Sequence, residues 1–311
     1  MHVLVIFPDA QSYGDRLTVR FPSLLVHVAE TYAHAAPYLA DTQILITTGR
    51  GLDAETVRAM PRLEWIHCLI SGIDQLTVAR EARPEVIISS SSGIHGPQMA
   101  EMAVLHMLAL SRQIVRLERQ RSGHKWVDLP QRVLDQKSVG IVGLGAAGTR
   151  LAELCKAFNM TVYGVSRTRR SERCFDSVFG RDQLCYVASI VDFLVLVVPQ
   201  SSETIHLIDG TVLGAMKPTS MIVNLARGGV VDERALVDAL VAGRIAGAGL
   251  DVTATEPLPA SSPLWQMENV VLTPHLAGHT DRYLEQVWTV LEPNMERFLA
   301  GMHVDMINSV Q

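Results

Sequence analysis

Ser138-Val139-Gly140-Ile141-Val142-Gly143-Leu144-Gly145-Ala146-Ala147-Gly148 is the stretch that decides how this chain folds. An apolar run ends in three glycines at G-x-G-x-x-G spacing, and an amphipathic stretch, Thr149–Phe158, follows. A strand that turns through such glycines into a helix opens a parallel β-α-β unit. Gly143 permits the tight turn, Gly145 lets backbone approach a pyrophosphate, and Gly148 lets helix and strand pack closely. The N–H groups of Ala146 and Ala147 then point out of the helix N-terminus, where phosphate is stabilised. A glycine turn without a ligand is the competing reading, and the residues on either side weigh between the two.

The same alternation runs in both directions from this turn. Upstream, Val3–Phe7, Ile44–Thr47, Trp65–Leu69 and Val86–Ser89 read as short buried strands, with helices expected at Ser23–Tyr32 and Ala54–Met60. Ser89–Gly93 is small, polar and punctuated, as a hinge would be. Pro97–Arg121 reads as one long helix ending in Arg116, Arg119 and Arg121 before Gly123. Those arginines fit a solvated helix end that complements the dipole better than a binding patch. Downstream, Val162–Val165, Phe193–Val198, Met221–Leu225, Gly247–Asp251 and Val270–Thr273 continue the strands. Thr280–Leu299 is helical and too late for that series, so it is expected to return to the first domain. The expected fold class is α/β, with two doubly wound parallel-sheet domains. A Rossmann-type cofactor domain, 96–278, is inserted into a discontinuous flavodoxin-like substrate domain made of 1–95 and 279–311.

The 311 residues suit about two domains, and a 48% hydrophobic content supports a large core rather than disorder. With 27 basic against 32 acidic residues, the net charge of −5 argues against a nucleic-acid or anionic-membrane partner. The longest apolar runs, around Ala100–Leu110 and Ile190–Pro199, fall short of the ~20 residues of a membrane span. Met1–Pro8 reads as a first strand rather than a signal peptide. Cys68, Cys155, Cys174 and Cys185 form no C-x-x-C pair and suit a reducing, cytoplasmic setting.

The end of the next strand after the glycine turn chooses the cofactor. An Asp or Glu there holds the ribose 2′-OH of NAD. Here Thr161–Val165 runs into Ser166-Arg167-Thr168-Arg169-Arg170, and no carboxylate follows until Glu172. Hydroxyls and guanidiniums suit a 2′-phosphate through charge-assisted, bidentate hydrogen bonds. NADP is therefore expected over NAD, with Arg167 the foremost contact and Ser166, Thr168 and Arg169 beside it. An ordinary basic loop would explain the arginines but not the missing acid.

Three later segments carry chemistry: Asn224-Leu225-Ala226-Arg227-Gly228, Thr255-Glu256-Pro257 and Thr273-Pro274-His275. Arg227 follows a buried strand, which places it at the carboxyl edge of the sheet, where doubly wound folds bind ligands. Its fork can hold a substrate carboxylate and polarise a carbonyl. His275 can give a proton to a keto oxygen, and Glu256 can hydrogen-bond that imidazole. His275 and His279 stand four apart, but Pro274 and Gly278 bracket them and no cysteine cluster or H-E-x-x-H accompanies them, so no metal is expected.

With these segments in this order, the chain resembles the D-isomer-specific 2-hydroxyacid dehydrogenases over nearly its whole length. The resemblance is carried by Trp65-Ile66-His67-Cys68-Leu69-Ile70-Ser71-Gly72-Ile73-Asp74, Gly143–Gly148, Val198-Pro199, Asn224–Gly228, Gly249-Leu250-Asp251-Val252, Glu256-Pro257-Leu258-Pro259 and Thr273-Pro274-His275-Leu276-Ala277-Gly278. Ser166–Arg170 further resembles the NADP-preferring glyoxylate/hydroxypyruvate reductases. The family implies an oxidoreductase that moves hydride between NADP(H) and a small 2-keto or D-2-hydroxy acid, in a cleft between the domains. It implies catalytic roles for Arg227, Glu256 and His275, and backbone N–H groups of Ser71, Gly72 and Ile73 on the substrate carboxylate. It also implies cofactor contacts at Pro199, Thr204, Ala226, Asp251 and Gly278, and a homodimer.

Several of these positions keep a second reading. Ser71–Ile73 also reads as a plain glycine turn and Asp251 as a strand-end cap. His95 lines the substrate pocket or is a satisfied loop histidine; Trp126 lies at a subunit interface or in a core. Formate dehydrogenases share the frame but typically pair the histidine with an amide, which Glu256 argues against. A 3-phosphoglycerate or phosphonate dehydrogenase is an alternative on the same frame, and a nucleotide-sensing corepressor is the alternative outside catalysis. The chain ends soon after its last helix, so neither the regulatory module of many phosphoglycerate enzymes nor the long tails of corepressors are expected.

Overall fold

Runs of consecutive apolar residues become strands here because both faces of each sheet are covered. The computed structural model describes residues 1–167 and 173–310, and the chain divides into two units. One is Met1–Ile94 with the residues from Thr280 onward; the other is His95–His279.

The first unit contains β1 (His2–Ile6), β2 (Leu25–Ala29), β3 (Ile44–Thr47), β4 (Trp65–Cys68) and β5 (Ile87–Ser90). They run parallel in the order β5-β4-β3-β1-β2, the flavodoxin-like order. A short strand, Ser309–Val310, adds antiparallel to β5. Alternate residues of β1 serve opposite faces. Val3 and Val5 share a buried cluster with Val287, Leu291 and Met295 of the closing helix Tyr283–Leu299, while Leu4 and Ile6 pack with Val57, Met60 and Leu76. The closing helix thus returns to the first unit.

The second unit contains β6 (Ser138–Val142), β7 (Thr161–Ser166), β8 (Ser177–Gly180), β9 (Phe193–Leu196), β10 (Met221–Asn224), β11 (Gly247–Leu250) and β12 (Val270–Leu272). They are parallel in the order β12-β11-β10-β9-β6-β7-β8, so the winding reverses between β6 and β9. Val142, Leu194 and Ile222 face one core, and Ile141, Val195 and Val223 the other. Among the described residues, no helix is long and apolar enough to cross a membrane.

Four expectations change. Ser23–Tyr32 is not a helix: Leu25–Ala29 is the edge strand β2, held by pairing with β1 and rich in β-branched valine. The helix that covers it, Ala10–Arg20, comes earlier in the chain, and its Gly14 lies so close that a Cβ would stand 2.5 Å from Val28 Cγ1. Pro97–Arg121 is two helices, Gly96–Ser111 and Ile114–Ser122, because Gln113 turns left-handed at φ 53°. The basic end of the second pairs with acids: Arg116 and Arg119 with Glu268, Arg121 with Glu118. Ser89 and Ser90 are strand, not hinge. Ser89 and Ser91 bind the two ring nitrogens of the fully buried His67, at 2.9 and 3.1 Å, and burial pushes that histidine down to about 3. Trp126 is 99% exposed, which removes its core reading.

Candidate active site

The glycine turn forms as its spacing requires. Gly143 has φ 108°, and a Cβ on it would stand 2.9 Å from the Val197 carbonyl oxygen. A Cβ on Gly148 would stand 1.9 Å from the Gly143 carbonyl oxygen, so only glycine lets the helix Ala146–Ala157 sit this close to β6. Among the described residues nothing comes within 4 Å of a Cβ on Gly145, and no side chain caps the helix start at Ala146, Ala147 and Gly148. An uncapped helix N-terminus beside an open glycine, at the switch point of the sheet, fits the pyrophosphate of a dinucleotide.

Beyond it, Pro199 and Thr204 form one loop. Thr204 is fully buried, and its hydroxyl donates to the Pro199 carbonyl at 2.8 Å and accepts from the Ser201 N–H at 2.7 Å. At the outer edge, Ser166 ends β7 in register with Gly180 of β8. That register brings Arg167 and Arg181 to one carboxylate: Glu203 Oε2 lies 3.7 Å from Arg167 and 3.1 Å from Arg181. Thr168 and Arg169 lie outside the described residues. Sequence reasoning missed Arg181 and Glu203, because β8 carries no motif and their meeting depends on its pairing with β7.

The three chemical segments converge at the carboxyl ends of β10, β11 and β12. Asn224, at the end of β10, is buried; its side chain accepts from the Ala226 N–H at 3.0 Å and donates to the Arg227 carbonyl at 3.1 Å. These bonds fix the turn that presents Arg227, whose guanidinium donates to the Ala226 carbonyl at 2.8 Å. Gly228 lies against the next loop, where a Cβ would stand 1.9 Å from the Thr253 carbonyl oxygen. In that loop Glu256 accepts the Thr253 N–H on Oε1 at 3.2 Å. Its Oε2 stands 2.7 Å from His275 Nδ1, and both side chains remain partly open to solvent.

His275 adopts a left-handed conformation at φ 55°, so no helix carries 275–279. Asp251 anchors this loop. It is 2% exposed, and its carboxylate accepts the Leu276 and Ala277 N–H groups, each at 2.9 Å, and the Thr273 hydroxyl at 2.5 Å. His95 packs on Gly278, where a Cβ would stand 3.3 Å from its ring. Burial and the Arg227 charge push His95 down to about 4, so it is a neutral neighbour of the cation. Among the described residues, no group of three His, Cys, Asp or Glu side chains is placed to hold a metal ion.

In the first unit, Ser71, Gly72 and Ile73 follow β4. The Tyr283 hydroxyl donates to the Leu69 carbonyl at 2.7 Å, and the Cys68 thiol approaches the Gly72 carbonyl at 3.5 Å.

The family model for the D-isomer specific 2-hydroxyacid dehydrogenase NAD-binding domain matches residues 104–277. The chain is similar to the glyoxylate reductase of Pyrococcus furiosus, with 33% identity over 273 residues, 84% of this chain and 80% of that protein. It is 35% identical over 310 residues to the D-3-phosphoglycerate dehydrogenase of Mycobacterium tuberculosis strain H37Rv, covering 95% of this chain but 56% of that longer protein. Among solved structures, a D-isomer specific 2-hydroxyacid dehydrogenase family protein from Aeromonas salmonicida matches with a TM-score of 0.91 and 29% identity, over 100% of this chain and 98% of its own.

Proposed function

The chain belongs to the D-isomer specific 2-hydroxyacid dehydrogenase family, and on that premise we propose that it reduces a small 2-keto acid, glyoxylate or hydroxypyruvate, to the hydroxy acid with NADPH. The observation that carries this reading is the 2.7 Å contact between His275 Nδ1 and Glu256. Reducing a carbonyl adds a hydride at carbon and a proton at oxygen, and a histidine steadied by a carboxylate can deliver the proton. When bound, NADPH supplies the hydride. Arg227 holds the substrate carboxylate by its guanidinium fork and polarises the keto group. Glu256 keeps the imidazole in one orientation, with Nδ1 toward the carboxylate and Nε2 free for the substrate.

The His95–His279 unit holds the cofactor, at Gly143, Gly145, Ala146, Ala147, Gly148, Pro199, Thr204, Ala226, Asp251 and Gly278. Backbone N–H groups of Ser71, Gly72 and Ile73 are assigned to the substrate carboxylate. The preference for NADPH rests on Ser166 and Arg167 at the end of β7, where NAD enzymes carry an acid, and on Arg181 beside them. The working form is a homodimer.

The likeness to phosphoglycerate enzymes keeps a second reading open, in which the substrate carries a phosphate. Initial rates on glyoxylate, hydroxypyruvate, pyruvate, phenylpyruvate and phosphohydroxypyruvate with NADPH separate the two. The small unphosphorylated acids should turn over fastest and give D products where a stereocentre forms. Highest turnover on the phosphorylated acid would replace the substrate assignment. Cofactor-dependent self-association without turnover of any acid would make the protein a nucleotide sensor.

A further inference from the structure

The loop that carries His275 hangs on a buried chain of hydrogen bonds that begins on a helix of the same unit. His106 lies on the helix Gly96–Ser111 and is fully buried. Its Nε2 stands 3.0 Å from Thr273 Oγ1, and that hydroxyl stands 2.5 Å from Asp251 Oδ1. A threonine hydroxyl has one proton to give. Asp251 takes backbone N–H donors on both carboxylate oxygens, so it is the acceptor of that proton as well. Thr273 must then accept from His106, which makes His106 the Nε2–H tautomer.

The far end of the chain is the catalytic loop itself. Besides the Leu276 and Ala277 N–H groups on its carboxylate, Asp251 receives the His275 N–H on its backbone carbonyl at 2.8 Å. Residues 275–277 are therefore all tied to Asp251, and Thr273 and His106 lock Asp251 from behind.

The other ring nitrogen of His106 argues that the first is there for a reason. Among the described residues Nδ1 is buried with no partner in hydrogen-bond geometry, and it lies against the Gly249 backbone, where a Cβ would come within 2.6 Å. An apolar side chain would fill the same space without an unpaired nitrogen. Burial holds His106 below the usual histidine range, against the pull of the Asp251 charge and of the Gly249 backbone, which favours a neutral ring; with its proton on Nε2, as the Thr273 geometry requires, Nδ1 is an acceptor.

We propose that His106 is a positioning residue for His275: its Nε2–H, acting through Thr273 and Asp251, fixes the loop that presents the imidazole. The proposal rests on His275 being the proton donor, and its test has an arm that needs no turnover. In the full-length protein with isotope-labelled histidine, NMR should show His106 as the neutral Nε2–H tautomer and a sharp ring N–H signal for His275 bonded to Glu256. His106→Leu should broaden or abolish the His275 signal. His106→Gln, whose amide N–H can stand near the place of Nε2, should keep it. With glyoxylate and NADPH, His106→Leu should lower kcat roughly 10-fold with the NADPH KM within about 2-fold, and His106→Gln should recover most of the loss. An Nδ1–H tautomer at His106 overturns the proposal. So does a His106→Leu variant that keeps both the His275 signal and kcat, or equal losses in the Leu and Gln variants, which is what simple packing would give. If the wild-type protein turns over no keto acid, the reductase reading fails alone, and the NMR arm still decides the positioning role.

Discussion

The two ends of the second sheet anchor polar side chains in different ways. At the β10–β12 end, Asp251 and Asn224 are 2% and 1% exposed and are bonded to backbone groups. At the β7–β8 end, Arg167 and Glu203 are 73% and 54% exposed and meet in an ion pair at 3.7 Å. Buried, fully paired polar groups are costly to disturb. Exposed ion pairs contribute little and yield to salt. On the proposed reading, the chemistry is built where a shift is expensive, and cofactor preference is set where a side chain can change without harm to the fold.

The contrast can be broken from the catalytic end first. His275→Ala should lower kcat by ~10²–10⁴ while cofactor binding persists; near-full turnover would remove His275 from the chemistry. Arg227→Ala should raise KM and lower kcat, a loss of roughly 10²–10³ in kcat/KM. Arg227→Lys should restore only part of it, since an ammonium lacks the guanidinium fork; full rescue by lysine would mean that charge alone suffices. Gly148→Ala forces a Cβ to within 1.9 Å of the Gly143 carbonyl, so the helix must move away from β6. Thermal unfolding should show a loss of about 1–3 kcal/mol and titration a weaker NADPH affinity; an unchanged melt would mean that the turn relaxes freely. The smallest effect belongs to the exposed edge. Glu203→Gln frees Arg167 and Arg181 for a phosphate and should tighten NADPH binding by about 2–5-fold at low salt, leaving NADH unchanged. Equal changes for both cofactors would mean that Glu203 does not bear on the 2′-phosphate.

What could be read from the sequence follows the same division. The glycine turn was legible because Gly143 and Gly148 answer to local backbone constraints that residues 138–148 already contain. Arg227, Glu256 and His275 were legible as an ordered set, and the structure brings Glu256 and His275 into contact. The edge strand β2 was misread because Ser23–Tyr32 has apolar positions compatible with either period, and its pairing with β1 decides between them. The break at Gln113 left no proline or glycine signal. Arg181, Glu203 and His106 were out of reach for one shared reason: each acquires its partner through strand register or helix packing, which no local pattern encodes.

The initial rate of glyoxylate reduction, measured side by side with NADPH and NADH at equal subsaturating concentrations, tests the central claim most directly. The predicted result is turnover with both and at least ~10-fold faster turnover with NADPH, as one or two charge-assisted bonds to a 2′-phosphate would give. Faster turnover with NADH, or none with either cofactor, would contradict it.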